Sequence, residues 1–536
     1  MEKYMCKDLK KTAYFCMEFG LHEDFKIYSG GLGILAGDIL KAAKDGNYPM
    51  VGVGMLWRQG YTTQLIGDDG TPYDCYPEYR YDFLEDVNVE VAVEIRGRTV
   101  KCKVWKCNKY GNVDLYLLDT NIPGNSDFYI TGQLYGWFSE ERIAQEMVLG
   151  IGGVRALQAL GIEVEVYHFN DSHPVIAGIE LISQKMQNDN LSFKNAWKSV
   201  REQIVFTTHT PVTAGNEVHE HALLEYMGAY NGLTYKEMCQ LGGDPFSMTA
   251  AGLRLCKKAN AVAELHCETA KKMWKDIDGA AGIIAVTNGV HNGTWQEQRI
   301  ISTLEDGNSL WGAHFEVKKD MIEEIYRRNG VRLDPDVLTV GFARRAAPYK
   351  RGDLIFGNKE IIEPLLSEGK LQIIFSGKAH PNDLTGKGIV ANLYAMSVKY
   401  PGSIIFLQNY DMKIGKLLTR GCDVWLNNPV RPMEACGTSG MKAAMNGVLN
   451  LSVLDGWWPE GCVHGENGWQ IGDGYEGPDA LEVDSKSLYG TLLEEVLPIF
   501  YHNREKWIRM MQASIKMSSV KFSAARMVSD YYSLMY

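Results

Sequence analysis

Short apolar runs rich in β-branched residues recur along this chain, and they alternate with segments of helical spacing. Thr12–Met17, Val164–Phe169, Ile204–Thr207 and Ile283–Val286 read as buried strands in the first part. Leu338–Phe342, Leu371–Phe375, Ser403–Leu407, Asp423–Leu426 and Val448–Val453 do so in the second. Runs without apolar–polar alternation are buried on both faces, which is the mark of a parallel sheet covered by helices on each side. Repeated βα units therefore predict an α/β architecture, with two doubly wound domains and a cleft between them. Ligands in such sheets bind beyond the carboxyl ends of the strands.

The expected N-terminal domain spans residues 1–330 and the C-terminal one 331–536, with the second half opening near Asp334-Pro335. A β-rich insert is expected at about 85–120. There Val87 to Cys107 alternates around Arg96-Gly97 as a hairpin, and Leu115–Leu118 adds a strand. Glu140 to Leu160 has helical spacing through Ile143, Met147, Ile151, Val154 and Leu157. Tyr28 to Gly37 reads as a glycine-rich loop, with a helix from Asp38. Leu488 to Tyr536 is helical throughout and is expected to pack back on the N-terminal domain.

The 536 residues are 45% hydrophobic and 23% charged, enough for large cores, and the formal net charge is −11. That charge argues against nucleic acid or an anionic membrane as a general partner, while leaving room for a local basic pocket. Met1–Asp8 contains no apolar run after its charges, so no signal peptide is expected, and no stretch approaches the length of a membrane span. Eleven cysteines are scattered without paired spacing, as expected of reduced thiols in a cytoplasm.

Polar clusters follow one strand after another. They are Asn170-Asp171-Ser172-His173-Pro174, Thr208-His209-Thr210-Pro211, Thr287-Asn288-Gly289, Arg344-Arg345 with Lys350-Arg351, Ser376-Gly377-Lys378 and Asn409-Tyr410. Four positive charges within eight residues on a strand-to-helix loop suit a phosphate, although a solvated basic turn has the same composition. Ser29 to Gly37 suits either a tight turn or an anion cradle. His173 and His209 read as packing residues, with a sugar hydroxyl as the alternative partner of His209, and Asp171 reads as an N-cap or a ligand. His219-Glu220-His221 lacks HExxH spacing and reads as exposed. Asp455-Gly456-Trp457-Trp458 reads as a packed rim loop, with a sugar platform as the alternative. No serine elbow, P-loop, EF-hand or zinc pattern is found, so no metal is expected.

The most specific segment runs from Glu434 through Gly437, Thr438, Ser439 and Gly440 to Lys442 and Asn446-Gly447. A small-residue loop opening a helix leaves amides for an anion. One lysine just inside calls for a bound phosphate or for an aldehyde cofactor that carries one.

Taken together, Ser29–Gly37, Asn170–Pro174, Phe206–Thr210, Thr287–Gly289, Arg345 with Lys350, and Glu434–Gly447 resemble the glycogen/α-glucan phosphorylase family, in the same order over most of the chain. The resemblance implies a glycosyltransferase-B fold of two Rossmann-like domains and pyridoxal 5′-phosphate bound through Lys442. It implies retaining, reversible phosphorolysis of an α-1,4-glucan to α-glucose 1-phosphate. The cofactor phosphate would be held by Arg344, Thr438 and the Gly437–Gly440 segment including Ser439. The substrate phosphate would be held by Arg345, Lys350 and the amides near Gly31. His209, Glu434 and the Cys436–Gly437 backbone would hold the glucosyl ring, with Gly30, Gly33, Asn288, Asp171 and Tyr410 as further substrate contacts. Cys436 and Gly440 depart from the pattern, since many members carry serine and asparagine there. The chain is shorter than the best-known members, so neither a phosphorylation switch nor a nucleotide effector site is expected; the subunit arrangement stays open, with a homodimer as one form. The competing readings are a nucleotide-sugar glucosyltransferase of the glycogen or starch synthase type, and a non-catalytic glucan-binding homologue. Lys442 separates the first of these, because a synthase has no use for an imine-forming lysine there.

Overall fold

A computed structural model describes residues 9–136, 139–212 and 215–536. Met1–Asp8, the segment read for a leader, lies outside the described residues. The chain divides into two compact units. One contains the described residues up to Tyr61 with Tyr76–Thr287 and Ala524–Tyr536; the other contains Thr62–Cys75 and Asn288–Ser523.

The first unit is built on one nine-stranded sheet. Seven parallel strands run in the order Ile283–Ala285, Lys258–Ala261, Ile204–Thr207, Val166–Asn170, Thr12–Phe15, Met50–Met55 and Leu115–Asp119. Arg98–Cys107 and Glu85–Ile95 extend that edge as an antiparallel hairpin. Arg96 and Gly97 both have positive φ, 54° and 69°, as a two-residue hairpin turn requires. The region expected as an insert is thus the edge of the main sheet. The strand order turns back between Thr12–Phe15 and Val166–Asn170, and the loops beyond those two strands diverge there.

The second unit has six parallel strands in the order Ile404–Leu407, Gln372–Ser376, Thr339–Ala343, Val424–Asn427, Leu449–Val453 and Gly468–Ile471. Numbered by sequence this is 3-2-1-4-5-6, the classic Rossmann order. The switch point lies between Thr339–Ala343 and Val424–Asn427, whose carboxyl ends lead into Arg344 and into the segment that reaches Glu434.

Three parallel strands escaped the sequence reading: Met50–Met55, Lys258–Ala261 and Gly468–Ile471. The expected glycine loop is also corrected, because the helix begins at Gly31 and runs to Asp45. The division at 287/288 differs from the expected 330/331. Helix Gly307–Asn329 buries Met321, Ile322 and Ile325 in a core shared with Ile374, Ile405 and Trp425, so it belongs with the second sheet. Of the terminal helices only Ala524–Asp530 and the turn after it join the first unit, where Tyr536 Oη lies 2.6 Å from His168 Nδ1. Among the described residues, no helix is long and apolar enough to cross a membrane.

At the amino end of the second sheet, Asp423 joins helix Gly307–Asn329 to two strands. Lys318 Nζ donates to one carboxylate oxygen at 2.6 Å, the Thr339 amide donates to the same oxygen at 2.8 Å, and His314 Nε2 lies 3.0 Å from the other. All three side chains are fully buried. Burial raises the pKa of Asp423, but Lys318 and His314 outweigh it and hold it below the usual range. A depressed carboxylate contributes stability above its unfolded pKa of about 4 and loses it as the pH falls through the folded value. Lys318→Met leaves this carboxylate without its main partner and is expected to cost about 3–5 kcal/mol in chemical denaturation at neutral pH. The difference from the parent should shrink on acidification.

Candidate functional site

In the first unit the polar groups gather around the switch point. Glu18, three residues beyond Thr12–Phe15, accepts from the amides of Ser29 (2.5 Å) and Gly30 (3.1 Å) and from Ser29 Oγ (2.9 Å). Its carboxylate thereby takes the first amides of the glycine segment, and Gly31 and Gly33 lie in the opening turn of the helix that follows. Sequence reasoning passed over Glu18, whose only signal is its place just beyond a strand end. Asn170 ends the next strand and links Cys16 to His209. Its amide donates to Cys16 Sγ at 3.3 Å, and its carbonyl oxygen lies 2.6 Å from His209 Nε2. Burial, with His266 and His173 nearby, pushes His209 down to about 3, so the imidazole is neutral and Nε2–H is the donor. Asp171, at φ 70°, accepts from the Ser172 amide at 2.8 Å; helix Ile176–Asn188 starts later, which removes the N-cap reading. Burial lifts Asp171 to about 7.

His219 and His221, read as exposed, are both buried. His219 Nε2 lies 2.9 Å from Glu146, and His221 sits between the Tyr230 hydroxyl (2.9 Å) and the Gly243 carbonyl (2.7 Å). Glu146, Glu217 and His219 bring ligand atoms within 4.8 Å of one another. The Arg142 guanidinium, 3.1 Å from Glu217, supplies positive charge there.

In the second unit charge dominates. Arg344 Nη2 (3.0 Å) and Lys350 Nζ both bond Glu434 Oε2. Burial pushes the Glu434 carboxyl up, and Arg344 and Lys350 outweigh it and hold it below the usual carboxylate range. Arg344 Nη1 is buried without a hydrogen-bond partner. Arg345 is exposed and, among the described residues, forms no hydrogen bond or ion pair. One carboxylate faces three cations, so positive charge is in excess and a donor is left over for an incoming anion. Tyr410 lies beside this group; burial lifts its phenol to about 12 against the pull of Arg344. Arg351, part of the same basic run, is spent elsewhere, on Asp484 at 2.6 Å and on the carbonyls of Asn428 and Pro429.

Helix Thr438–Ala444 follows Gly437, whose φ is 85°. Lys442 is buried, with Nζ 3.9 Å from the centre of the Trp295 ring. The lysine is held there by a staple: Asn446 Nδ2 donates to the Trp295 carbonyl (3.0 Å) and to the Lys442 carbonyl (2.8 Å). The Glu297 amide donates back to Asn446 Oδ1 at 2.8 Å. Trp295 is distant in sequence and carries no local signal. Two motif residues face packing: Ser439 Oγ accepts from Trp425 Nε1 at 3.2 Å, and the Gly440 amide donates to Gly437 O at 3.3 Å. Asn288 and Cys436 are buried in this unit.

Gly440 is explained by its surroundings. A Cβ there would lie 2.6 Å from Asn450 Oδ1 and 3.0 Å from Trp457 Nε1. Trp457 and Trp458 are both buried, so the rim loop is packed and offers no exposed aromatic face.

One strand end thus offers a neutral histidine, and another a basic cluster with a buried lysine that suits an anion. The comparisons narrow the class. The carbohydrate phosphorylase family matches residues 153–229 and 306–460. The chain is 39% identical to a maltodextrin phosphorylase of Thermococcus litoralis over 98% of this chain and 70% of that protein. It is 37% identical to a glycogen phosphorylase of Aquifex aeolicus over 100% and 87%. An uncharacterised protein of Methanocaldococcus jannaschii is 36% identical over 98% of this chain and 100% of its own length. The chain belongs to the carbohydrate phosphorylase family.

The Gly440 geometry makes a test. Gly440→Asn is expected to lose about 1–3 kcal/mol by overpacking, and Trp457→Ala about 3–5 kcal/mol by opening a cavity. Combined, they should cost clearly less than the sum in a denaturation double-mutant cycle. Additive losses would show that the two positions do not share one space.

Proposed function

We propose that this protein is an α-glucan phosphorylase. It would cleave the end of an α-1,4-glucan with inorganic phosphate to release α-glucose 1-phosphate with retention, using pyridoxal 5′-phosphate. The observation that carries this reading is the second unit's basic cluster beside a buried lysine. Three features suit the cofactor: the unpartnered Arg344 Nη1, the excess of cations over Glu434, and Lys442 lying against an aromatic face. On this reading the two sheets are the Rossmann-like halves of a glycosyltransferase-B fold, working on cytoplasmic glycogen or maltodextrin.

In this proposal Lys442 anchors the cofactor's aldehyde carbon, and Arg344, Thr438 and the Gly437 amide hold its phosphate. When bound, that phosphate supplies a proton donor and acceptor beside the substrate phosphate. Arg345 and Lys350 bind the substrate phosphate and offset the repulsion between two neighbouring anions. Glu434 and the Cys436–Gly437 backbone bind sugar hydroxyls once the cations turn to phosphate. His209 lies at the sugar, where its neutral ring avoids adding a positive charge beside a developing oxocarbenium ion; its carbonyl is the group proposed to stabilise that ion. Asp171, Asn288, Tyr410 and the opening-turn amides at Gly31–Gly33 complete the substrate contacts, the Gly30 amide being taken by Glu18. No carboxylate nucleophile is required, in contrast to a glycosidase.

The purified protein should show a pyridoxal absorbance band that Lys442→Ala abolishes. Consumption of UDP- or ADP-glucose without such a band would replace this reading with the synthase one. Arg345→Ala should raise the KM for phosphate roughly 10- to 100-fold, the value of a lost charge-assisted hydrogen bond of about 1.5–3 kcal/mol. An unchanged phosphate response would place the anion elsewhere.

A further inference from the structure

Asp455 lies two residues beyond strand Leu449–Val453 and is fully buried. Its Oδ2 accepts from the Glu434 amide at 2.9 Å, and its Oδ1 accepts from the Gly456 amide at 2.8 Å. Two residues on, the Trp457 amide donates to the Cys436 carbonyl at 3.0 Å. One short turn thus grips the neighbouring loop at both ends of Glu434–Cys436, once by a donor and once by an acceptor. The grip is close. Gly456 has φ 57°, and a Cβ there would stand 2.2 Å from the Cys436 carbonyl oxygen.

We propose that Asp455 is a positioning residue for the glucosyl site, setting through the Glu434 amide the direction in which Glu434 and the Cys436–Gly437 backbone meet the sugar. This rests on the phosphorylase reading above. A carboxylate suits the task because both of its oxygens accept. An asparagine keeps one acceptor and turns an NH2 toward the other amide. The arrangement is also costly, since burial and the nearby Glu434 charge lift Asp455 to about 7 while no cation bonds it. A turn that merely closed a loop would not need a buried carboxylate. The grip spares the cations: Arg344, Arg345 and Lys350 sit on a different strand-end loop and make no bond to Asp455. Asp455 reaches those cations only through Glu434, so in the loaded protein, where they face phosphate, its loss should act on sugar far more than on phosphate or cofactor.

The test compares Asp455→Asn and Gly456→Ala in the pyridoxal-loaded protein, with Trp458→Phe as a packing control. Glucose affinity is measured by calorimetry, the KM for inorganic phosphate by activity, cofactor occupancy by the pyridoxal band, and stability by Tm. Asp455→Asn and Gly456→Ala should weaken glucose binding about tenfold or more, hold the phosphate KM within about twofold and keep the band. Trp458→Phe should lower Tm without touching glucose affinity. Unchanged glucose affinity in a folded, loaded Asp455→Asn protein overturns the proposal. So does parallel loss of sugar, phosphate, cofactor and Tm in both variants, including failure of both to fold, because that pattern is purely structural. Absence of the pyridoxal band from the unsubstituted protein would instead sink the phosphorylase reading itself.

Discussion

Glu434 carries more of the second unit's logic than any other side chain. Two cations converge on one of its oxygens in a buried setting, and a third stands close by without a partner. A single carboxylate cannot neutralise that group. At an effective dielectric of about 20, like charges roughly 4 Å apart repel by about 4 kcal/mol, so the cluster is relieved by any further anion it can reach. The strand order puts the cluster where an anion can arrive. Thr339–Ala343 and Val424–Asn427 are neighbours in the sheet, yet the chain leaves them in opposite directions. Arg344 and the Glu434 segment therefore emerge side by side over a gap that no crossover helix fills.

The first unit answers the same topology with different chemistry. Its switch-point groups are neutral or already paired: Asn170 ties Cys16 to His209, and Glu18 occupies the glycine-segment amides. His209 cannot take up a proton near neutral pH. Carboxylates held by neutral donors beside a neutral imidazole suit hydroxyl recognition, where directional hydrogen bonds matter. The two sheets share a plan and divide the electrostatics.

Most of this plan was legible in the sequence because buried parallel strands announce themselves as unbroken β-branched runs. The strands that escaped lack that mark. Met50–Met55 alternates with glycine, Lys258–Ala261 reads Lys-Ala-Asn-Ala, and Gly468–Ile471 has one β-branched residue. Each is a strand because it lies beside a better one, which is tertiary pairing overriding a weak local preference. The same override starts a helix at Gly31 despite three glycines in its first seven residues. Residues of the site behaved likewise. Arg344, Lys350, Glu434 and Lys442 were visible as charges in a motif. Glu18, Trp295 and Asp455 act through partners more than ten residues away, and no local pattern reports such contacts.

The departures from the family pattern can be argued in the same physical terms. Asparagine in place of Gly440 would need space, and in this chain that space belongs to Trp457 and Asn450. A glycine at 440 thus fits the volume that Trp457 and Asn450 occupy in this chain. Cys436 is gripped through its carbonyl by the same loop, a contact indifferent to whether the side chain is a thiol or a hydroxyl. What the loop around Trp457 fixes is therefore backbone, and backbone direction is the property that a site recognising sugar through amides must keep. The side chain at 440 is constrained by Trp457 and Asn450, whereas the grip on 436 runs through backbone alone.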